Sequence, residues 1–484
     1  MPRARYSPCP PDELLIAGFR RVRDALDVPE DFPEEVTAEA HAIALRGPMC
    51  PPGAPERDPV DHRGIPFVAI DPPGSLDIDQ AFSAQRTKHG YLVHYAIADL
   101  GSFVAPGGAI DAESRRRGLT LYSPDVRSSL HPEALNHGVA SLLPGEDRAA
   151  LVWSIKLDHD GSIHDAVVER SVVRNREAIS YRTATDRLLR VDAPEELQLL
   201  REIGRLRQEL ERRRHAVSLR LPSQEIVRED GGYRLDYTES LPIEGWNAQI
   251  SLLTGMAAAQ LMVDAGVGVL RTLPPPPRET LAELRAVAAG LRIGWHQQVG
   301  YPERVRELEP SIPREAALLS ASARGLRGAG YASFVDGNLP ADPEHSAIAS
   351  TYAHVTAPLR RLGDRFANEI VLSVCGGYPP PSWVLEALPD IPKLMGKARD
   401  REGRLERGLL DFMEAAVLAD RVGDELEAVV SSRRDDDVTV TIADPAVIAR
   451  INHTGVGLGQ RLRVRVAAAD PSRSHIELIP VRGP

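Results

Sequence analysis

Asp71, Asp77 and Asp79 fall close together in "AIDPPGSLDIDQAF" (69–82), a stretch that otherwise reads as strand. The apolar run Ile65–Ile70 ends on Asp71, and Pro72–Ser75 is a turn signal of two prolines and a glycine. Asp77 and Asp79 are two apart, so extended backbone puts both on one face roughly 7 Å from each other. The turn can bring Asp71 back toward them. Clustered carboxylates raise one another's pKa unless a positive charge lies between them. A hard divalent ion bound through oxygen is the usual answer, and Mg²⁺ takes one or two carboxylates plus water and substrate phosphate. An acidic turn facing water is the alternative that a lone Asp-x-Asp leaves open. An EF-hand is excluded, because counting from Asp77 the sixth position is Phe82 and the twelfth is Lys88.

A second stretch, "YAHVTAPLRRLGD" (352–364), offers the complementary charge. The spacing predicts a helix that starts at Pro358 and carries Arg360 and Arg361 in its first turn, beside amides that already favour anions. Alone, the arginine pair would read as a surface salt bridge. Beside a carboxylate cluster it completes a kit of metal and arginine that stabilises charge on a phosphorus centre.

The elements that must position these residues follow from periodicity. Leu15, Phe19, Val22 and Leu26 recur at helical spacing over 12–28, a second helix is expected over 33–46, and the Pro/Gly-rich stretch Gly47–Pro59 reads as a linker. Residues 1–60 are therefore expected to be a small helical module, helix-turn-helix-like in its pattern. Strand patterns dominate 64–175 and long helices follow over 194–216, 247–266 and 278–291, which gives a large mixed α/β domain over 61–405. A charged helix near 395–416 precedes short alternating strands, "VTVTI" (Val438–Ile442) and "RLRVRV" (Arg461–Val466). Residues 415–484 suit a small five-stranded barrel. Its alternation turns Leu462, Val464 and Val466 inward and leaves Arg461, Arg463 and Arg465 outward, as phosphate contacts or as a solvated face.

Composition limits the function classes. At 484 residues, 43% hydrophobic and 26% charged, the chain reads as a multidomain globular protein. No apolar run reaches the roughly 18 residues of a membrane span, and "MPRARYSPCPPDELL" lacks a signal-peptide core, so a cytoplasmic location is expected. Cys9, Cys50 and Cys375 are too few and too scattered for a disulfide framework or a Cys-x-x-Cys metal site. A net charge of −11 argues against a surface that grips nucleic acid everywhere, though not against a local grip. Of 58 basic residues only Lys88, Lys156, Lys393 and Lys397 are lysine, and arginine suits bidentate phosphate binding.

Four segments, "IDPPGSLDIDQAF", "VHYAIADLGSFVAPGGAIDAESRRRGLTLYSPD", "LLPGEDRAAL" and "HSAIASTYAHVTAPLRRLGD", resemble in order and spacing the catalytic domain of the ribonuclease II and ribonuclease R family. The resemblance implies an RNB-type catalytic domain with a C-terminal S1 barrel of OB type. It also implies processive 3′ to 5′ hydrolysis of RNA to nucleoside 5′-monophosphates with Mg²⁺, Mn²⁺ serving as a substitute, and a short oligonucleotide left at the end. Asp71, Asp77, Asp79 and Gln80 match the metal positions, Asp77, Asp79 and Arg360 the catalytic ones, and Tyr122, Thr356 and Arg361 positions beside the RNA. The implied partner is the single-stranded 3′ end of RNA, handled by a monomer without a membrane.

Departures accompany the matches. Gln80 stands where the family pattern has a fourth aspartate, Leu219 where it has a base-stacking aromatic, and Ser251 where it has a glutamate. The roughly 60 residues before the catalytic domain are too few for the family's two cold-shock barrels, so RNA entry is expected to be guided differently. The competing reading is a weakened or inactive relative that binds RNA. An unrelated metal-dependent phosphohydrolase would explain the aspartates but not the ordered segments.

Overall fold

The computed structural model describes residues 12–219, 223–229, 232–238, 240–310, 312–434, 437–452 and 455–481; Cys9 and the rest of the first eleven residues lie outside them. Nine strands build the part that carries the aspartates: β1 (Val60–Asp61), β2 (Val68–Ile70), β3 (Gln80–Thr87), β4 (Gly90–Ala98), β5 (Leu121–Tyr122), β6 (Arg127–Ser128), β7 (Asp147–Asp158), β8 (Ile163–Arg174) and β9 (Glu177–Ile179). Seven form one sheet in the order β1-β8-β7-β4-β3-β2-β9, while β5 and β6 make a separate hairpin.

The sheet is covered on both faces, and strand alternation decides which side chains meet which cover. Leu151, Trp153 and Ile155 of β7 and Val93, Tyr95 and Ile97 of β4 enter the main core with Leu199, Ile203, Ile250, Leu253, Phe366 and Ile370 from the long helices. The intervening Ala96, Ala98, Ala150 and Val152 face a second core with Leu100, Phe103 and Ile110. Small residues on that side let the covering helices Glu34–Arg46 and Ala109–Arg117 lie close to the sheet.

Both N-terminal helices follow the expected pattern, and each docks on the central domain. The first, Asp12–Asp24, sends Leu15 and Phe19 into the main core, while Val36, Ala40 and Ile43 of the second enter the other one. Phe19 meets Phe412 and Tyr233 edge-on at 5.5 and 5.3 Å. Gly18 is required by this packing, since a Cβ there would lie 1.9 Å from the Phe412 ring. The stretch read as a linker is pinned as well: Met49 N–H donates to the Ser102 carbonyl at 2.8 Å, and Trp383 Nε1 to that of Pro52 at 3.1 Å.

After the helix Ile391–Leu418 the chain forms an antiparallel sheet of five strands that nearly closes into a barrel of S1/OB type, in the order Val447–Asn452, Asp437–Ile442, Glu425–Arg434, Arg461–Asp470, His475–Pro480. Val430, Val438, Val440, Val447 and Val464 fill a core of its own. One expectation is corrected. Residues 358–360 form a turn, and the helix begins at Leu362, with Arg361 extended (φ −135°) as its N-cap. The cause is Asp364, which accepts the Ala357 N–H at 2.8 Å and folds the preceding chain into the turn.

Candidate active site

Three loops meet at the end of the sheet where β2 gives way to β3. The first is the β2–β3 connection, whose ends are fixed by Asp71 N–H donating to the Ile179 carbonyl and Ala98 N–H donating to that of Asp79. Its middle is held by Ser141, which accepts from Ile78 N–H at 2.9 Å and donates to the Leu76 carbonyl at 2.7 Å. The second is Gly118–Ser128, containing the β5–β6 hairpin. The third is 356–362, which lies along the second: Thr120 N–H donates to the Arg360 carbonyl, and Leu362 N–H to that of Gly118. Gly118 ends the preceding helix at φ +73°, where a side chain is strained and a Cβ would lie 2.6 Å from Ala398.

Asp79 links the first loop to the third. One oxygen accepts the Leu359 N–H at 2.8 Å, and the other lies 3.3 Å from Arg360 Nε. Burial pushes its carboxyl up to about 7, against the pull of Arg360. Asp71 is held at about 6, again chiefly by burial, with Arg360 lowering it and Asp77 raising it. Its buried Oδ2 has no hydrogen-bond partner among the described residues. Burial works against the charge of Arg360, but Asp79, Tyr122 and Asp364 together more than offset it and raise its pKa, and 44% of its side chain stays open to solvent. Tyr122, 47% exposed, stands at the rim with Arg360 and Asp77 as the largest charges acting on its hydroxyl, which burial pushes up to about 12.

The structure thus brings Asp71, Asp77, Asp79, Arg360 and Tyr122 together. Among the described residues, however, no three acidic, histidine or cysteine side chains converge closely enough to hold an ion by themselves. Asp77 is turned to Arg127 at 2.5 Å and Asp79 to Arg360. The donor set fits a hard cation in the mode that uses one or two carboxylates and completes its shell with water and substrate oxygens. The orphaned oxygen of Asp71 is the strongest sign of that fit.

Other expected residues sit differently. Gln80 Oε1 accepts from the Tyr95 hydroxyl at 2.5 Å and the Ser251 hydroxyl at 3.1 Å, so the oxygen that would serve a metal is engaged. Two departures from the family pattern, Gln80 and Ser251, therefore touch. Arg361 and Thr356, expected beside RNA, are instead turned inward: Arg361 grips Asp364 with Nε at 3.0 Å and Nη2 at 2.8 Å, and Thr356 accepts from it at 3.4 Å. Asp364 has no exposed surface, and a buried carboxylate without such a partner would be costly. Leu219 packs against the small core around Val217 and Leu284. Arg461, Arg463 and Arg465 do point outward from the barrel, but Glu427 and Glu425 oppose Arg463 and Arg465, and Arg463 pairs with Glu425 at 3.2 Å. A cavity of about 680 Å³ lies elsewhere, between the 47–60 stretch and β8, and none of the three aspartates lines it.

Arg127 escaped the sequence reading. The signal was available in "YSPDVR", where Ser-Pro-Asp marks a turn and makes Tyr122 and Arg127 direct cross-strand neighbours.

Residues 60–375 match the RNB domain family and residues 424–481 the RNase II-type exonuclease C-terminal S1 domain. The chain is 23% identical over 506 residues to ribonuclease R of Thermotoga maritima, covering 95% of this chain and 69% of that one. It is 27% identical over 343 residues to the human exosome complex exonuclease RRP44, covering 66% and 35%. Mycoplasma genitalium RNase R, solved in complex with ribose-methylated single-stranded RNA, superposes with a TM-score of 0.85 at 17% identity over 97% of this chain and 78% of its own. Yeast Ssd1, described as a pseudonuclease, superposes with a TM-score of 0.71 at 16% identity over 97% and 58%. No helix among the described residues is long and apolar enough to cross a membrane. With the family's domain spanning 60–375, its S1 domain following, and the aspartate loop set against Arg360, the chain belongs to the RNB family of ribonuclease II and R type.

Proposed function

We propose that this protein is an active 3′ to 5′ exoribonuclease that removes nucleoside 5′-monophosphates processively from single-stranded RNA, using Mg²⁺ or Mn²⁺, and leaves a short oligonucleotide. The observation that carries the reading is Arg360, 44% open to solvent, anchored on Asp79 and near enough to Asp71, with its unpartnered oxygen, to lower that carboxyl's pKa. A divalent ion held by Asp71 and Asp77, with Asp79 alongside, would supply an activated water and positive charge at the leaving oxygen. Burial holds Asp71 near 6 and Asp79 near 7, so both carboxylates gain from a positive partner. Arg360 can present its guanidinium to the negative charge that develops on the phosphate. Tyr122 offers an exposed ring face on which the terminal base can stack. The barrel arginines would hold RNA upstream through phosphates, weakened by their glutamate neighbours. The reading takes the chain as a cytoplasmic monomer, with an N-terminal module of 1–60 whose helices Asp12–Asp24 and Glu34–Arg46 pack on a catalytic domain of 61–405, and the barrel over 415–484.

The RNA-binding alternative draws support from Gln80 and Ser251, which replace charge by a neutral hydrogen-bond network. Retention of three aspartates weighs against it, since a phosphate-binding surface has no use for them. End-labelled RNA incubated with Mg²⁺ or with chelator separates the two. The active reading expects stepwise shortening from the 3′ end that stops in chelator, a rate about 10²–10³ lower in Arg360→Ala, and near-complete loss in Asp79→Asn with RNA binding retained. Internal cleavage, or unchanged activity in chelator, would overturn it. Binding without cleavage by the unaltered protein would establish the alternative.

A further inference from the structure

Asp77 is the one aspartate of the three whose partner comes from the rim of the site. Arg127 Nη1 donates to its Oδ1 at 2.5 Å, with 7% of the Asp77 side chain and 32% of the Arg127 side chain exposed. Arg127 faces Tyr122 across the hairpin, and its guanidinium carbon lies 5.4 Å from the centre of that ring. The hairpin is braced from behind. Asp125 is bound by Arg23 at 2.6 Å, the Ser128 hydroxyl donates to the Pro29 carbonyl, and Ser123 N–H closes the turn on the Val126 carbonyl at 2.9 Å. A fixed backbone thus carries a long, partly exposed cation that can swing between two neighbours, Asp77 and whatever lies on Tyr122.

A guanidinium and a divalent ion cannot share one carboxylate cheaply. Like charges a few ångströms apart repel, and a doubly charged ion doubles that repulsion. The phosphate of an RNA end stacked on Tyr122, on the other hand, is a bidentate acceptor for arginine. We infer that Arg127 is a positioning residue that competes with the divalent cation for Asp77 and is drawn off it by the phosphate of the RNA end. Metal and RNA then bind cooperatively, each strengthening the other by the same factor. The inference rests on the metal-dependent nuclease reading above and adds a residue and a coupling to it.

The test uses the full chain and Mn²⁺ as a probe whose binding is read by electron paramagnetic resonance, with and without a phosphorothioate single strand that resists cleavage. Without RNA, Arg127→Ala is expected to bind Mn²⁺ about tenfold more tightly than the unaltered protein, with Arg127→Lys between them. Addition of RNA should tighten Mn²⁺ binding about tenfold in the unaltered protein and less than about twofold in Arg127→Ala. Equal Mn²⁺ affinities without RNA, or equal tightening by RNA, in a protein that still shortens RNA would overturn the inference alone. Weaker Mn²⁺ binding in both variants would overturn it too, making Arg127 a support that orients Asp77. Failure of every protein to bind Mn²⁺ or to cleave would overturn it together with the nuclease reading.

Discussion

At the N-terminal end, Leu15 and Phe19 lie in the core that holds Trp153 and Phe412, and Arg23 reaches Asp125 in a pair of which 3% and 8% is exposed. At the other end, the barrel closes around valines of its own and meets the rest of the molecule along a seam both apolar and polar: Leu458 packs on the core of Leu284, Ala446 joins the main core, the Ile448 N–H donates to Glu414, Gln224 to the Ala446 carbonyl, and Arg21 to that of Pro471. The first flank is part of the body that holds the site, and its ion pair ends on the hairpin of Tyr122 and Arg127. The second has a core largely of its own, closed at one end by Leu418 of the preceding helix. A flank of the first kind can shape the chemistry, whereas one of the second kind can change how long RNA is held.

The sharpest way to break this contrast is Arg23→Ala. It leaves Asp125 buried without its cation, and removal of one partner of such a pair costs about 3–5 kcal/mol. Denaturant unfolding should show that loss, and single-turnover cleavage of a short oligomer should slow because the hairpin loses its brace. An unchanged rate in the folded variant would show that the N-terminal flank matters only for stability.

Glu414 tests the other flank. Burial raises its carboxyl to about 7, while Gln224, first, and Ile448 pull the other way. A raised acid binds its proton better in the folded state, so its stability contribution is full below the unfolded pKa near 4.5 and is lost as pH climbs through 7. Glu414→Gln keeps an acceptor oxygen for both donors without the charge. It should match the unaltered protein at pH 4.5 and exceed it by on the order of 1–3 kcal/mol at pH 8. Parallel stability curves across that range would mean that Glu414 carries no charge cost at the junction.

The smallest effect is expected from replacing Arg461, Arg463 and Arg465 with serine. Each phosphate contact contributes about 0.7 to the slope of log affinity against log salt for a single strand. Affinity for a 30-mer should fall and its salt slope flatten, by less than three full contacts because Arg463 already holds Glu425. Cleavage of a short bound oligomer should persist. A steep slope surviving the replacement would place the RNA path on another surface.

Much of the architecture was legible because it is written in local period. "RLRVRV" and "VTVTI" state their faces outright, and the Pro-Pro-Gly-Ser turn fixes how Asp71 returns toward Asp79. What was hidden depends on partners far away in sequence. Apolar spacing gives Leu15 and Phe19 a face but not its target, which includes Phe412. The helix expected from Pro358 starts later because Asp364 captures Ala357 and Arg361, a contact that helix-start rules do not contain. Gln80 and Ser251 each read as a loss of charge; only the fold shows that they share one hydrogen bond, 171 positions apart.

Distance along the chain has one more consequence. Asp79 and the Leu359 amide that anchors it are 280 residues apart. At synthesis rates of 5–20 residues per second, roughly 15–55 s pass between the emergence of the aspartate loop and that of Arg360. A growing chain therefore displays acidic residues, which repel RNA, well before it owns the arginine that would engage a phosphate. The assembly order acts as a delay: a copy not yet extended past Leu359 holds its aspartate loop without the amide and the arginine that complete the candidate site.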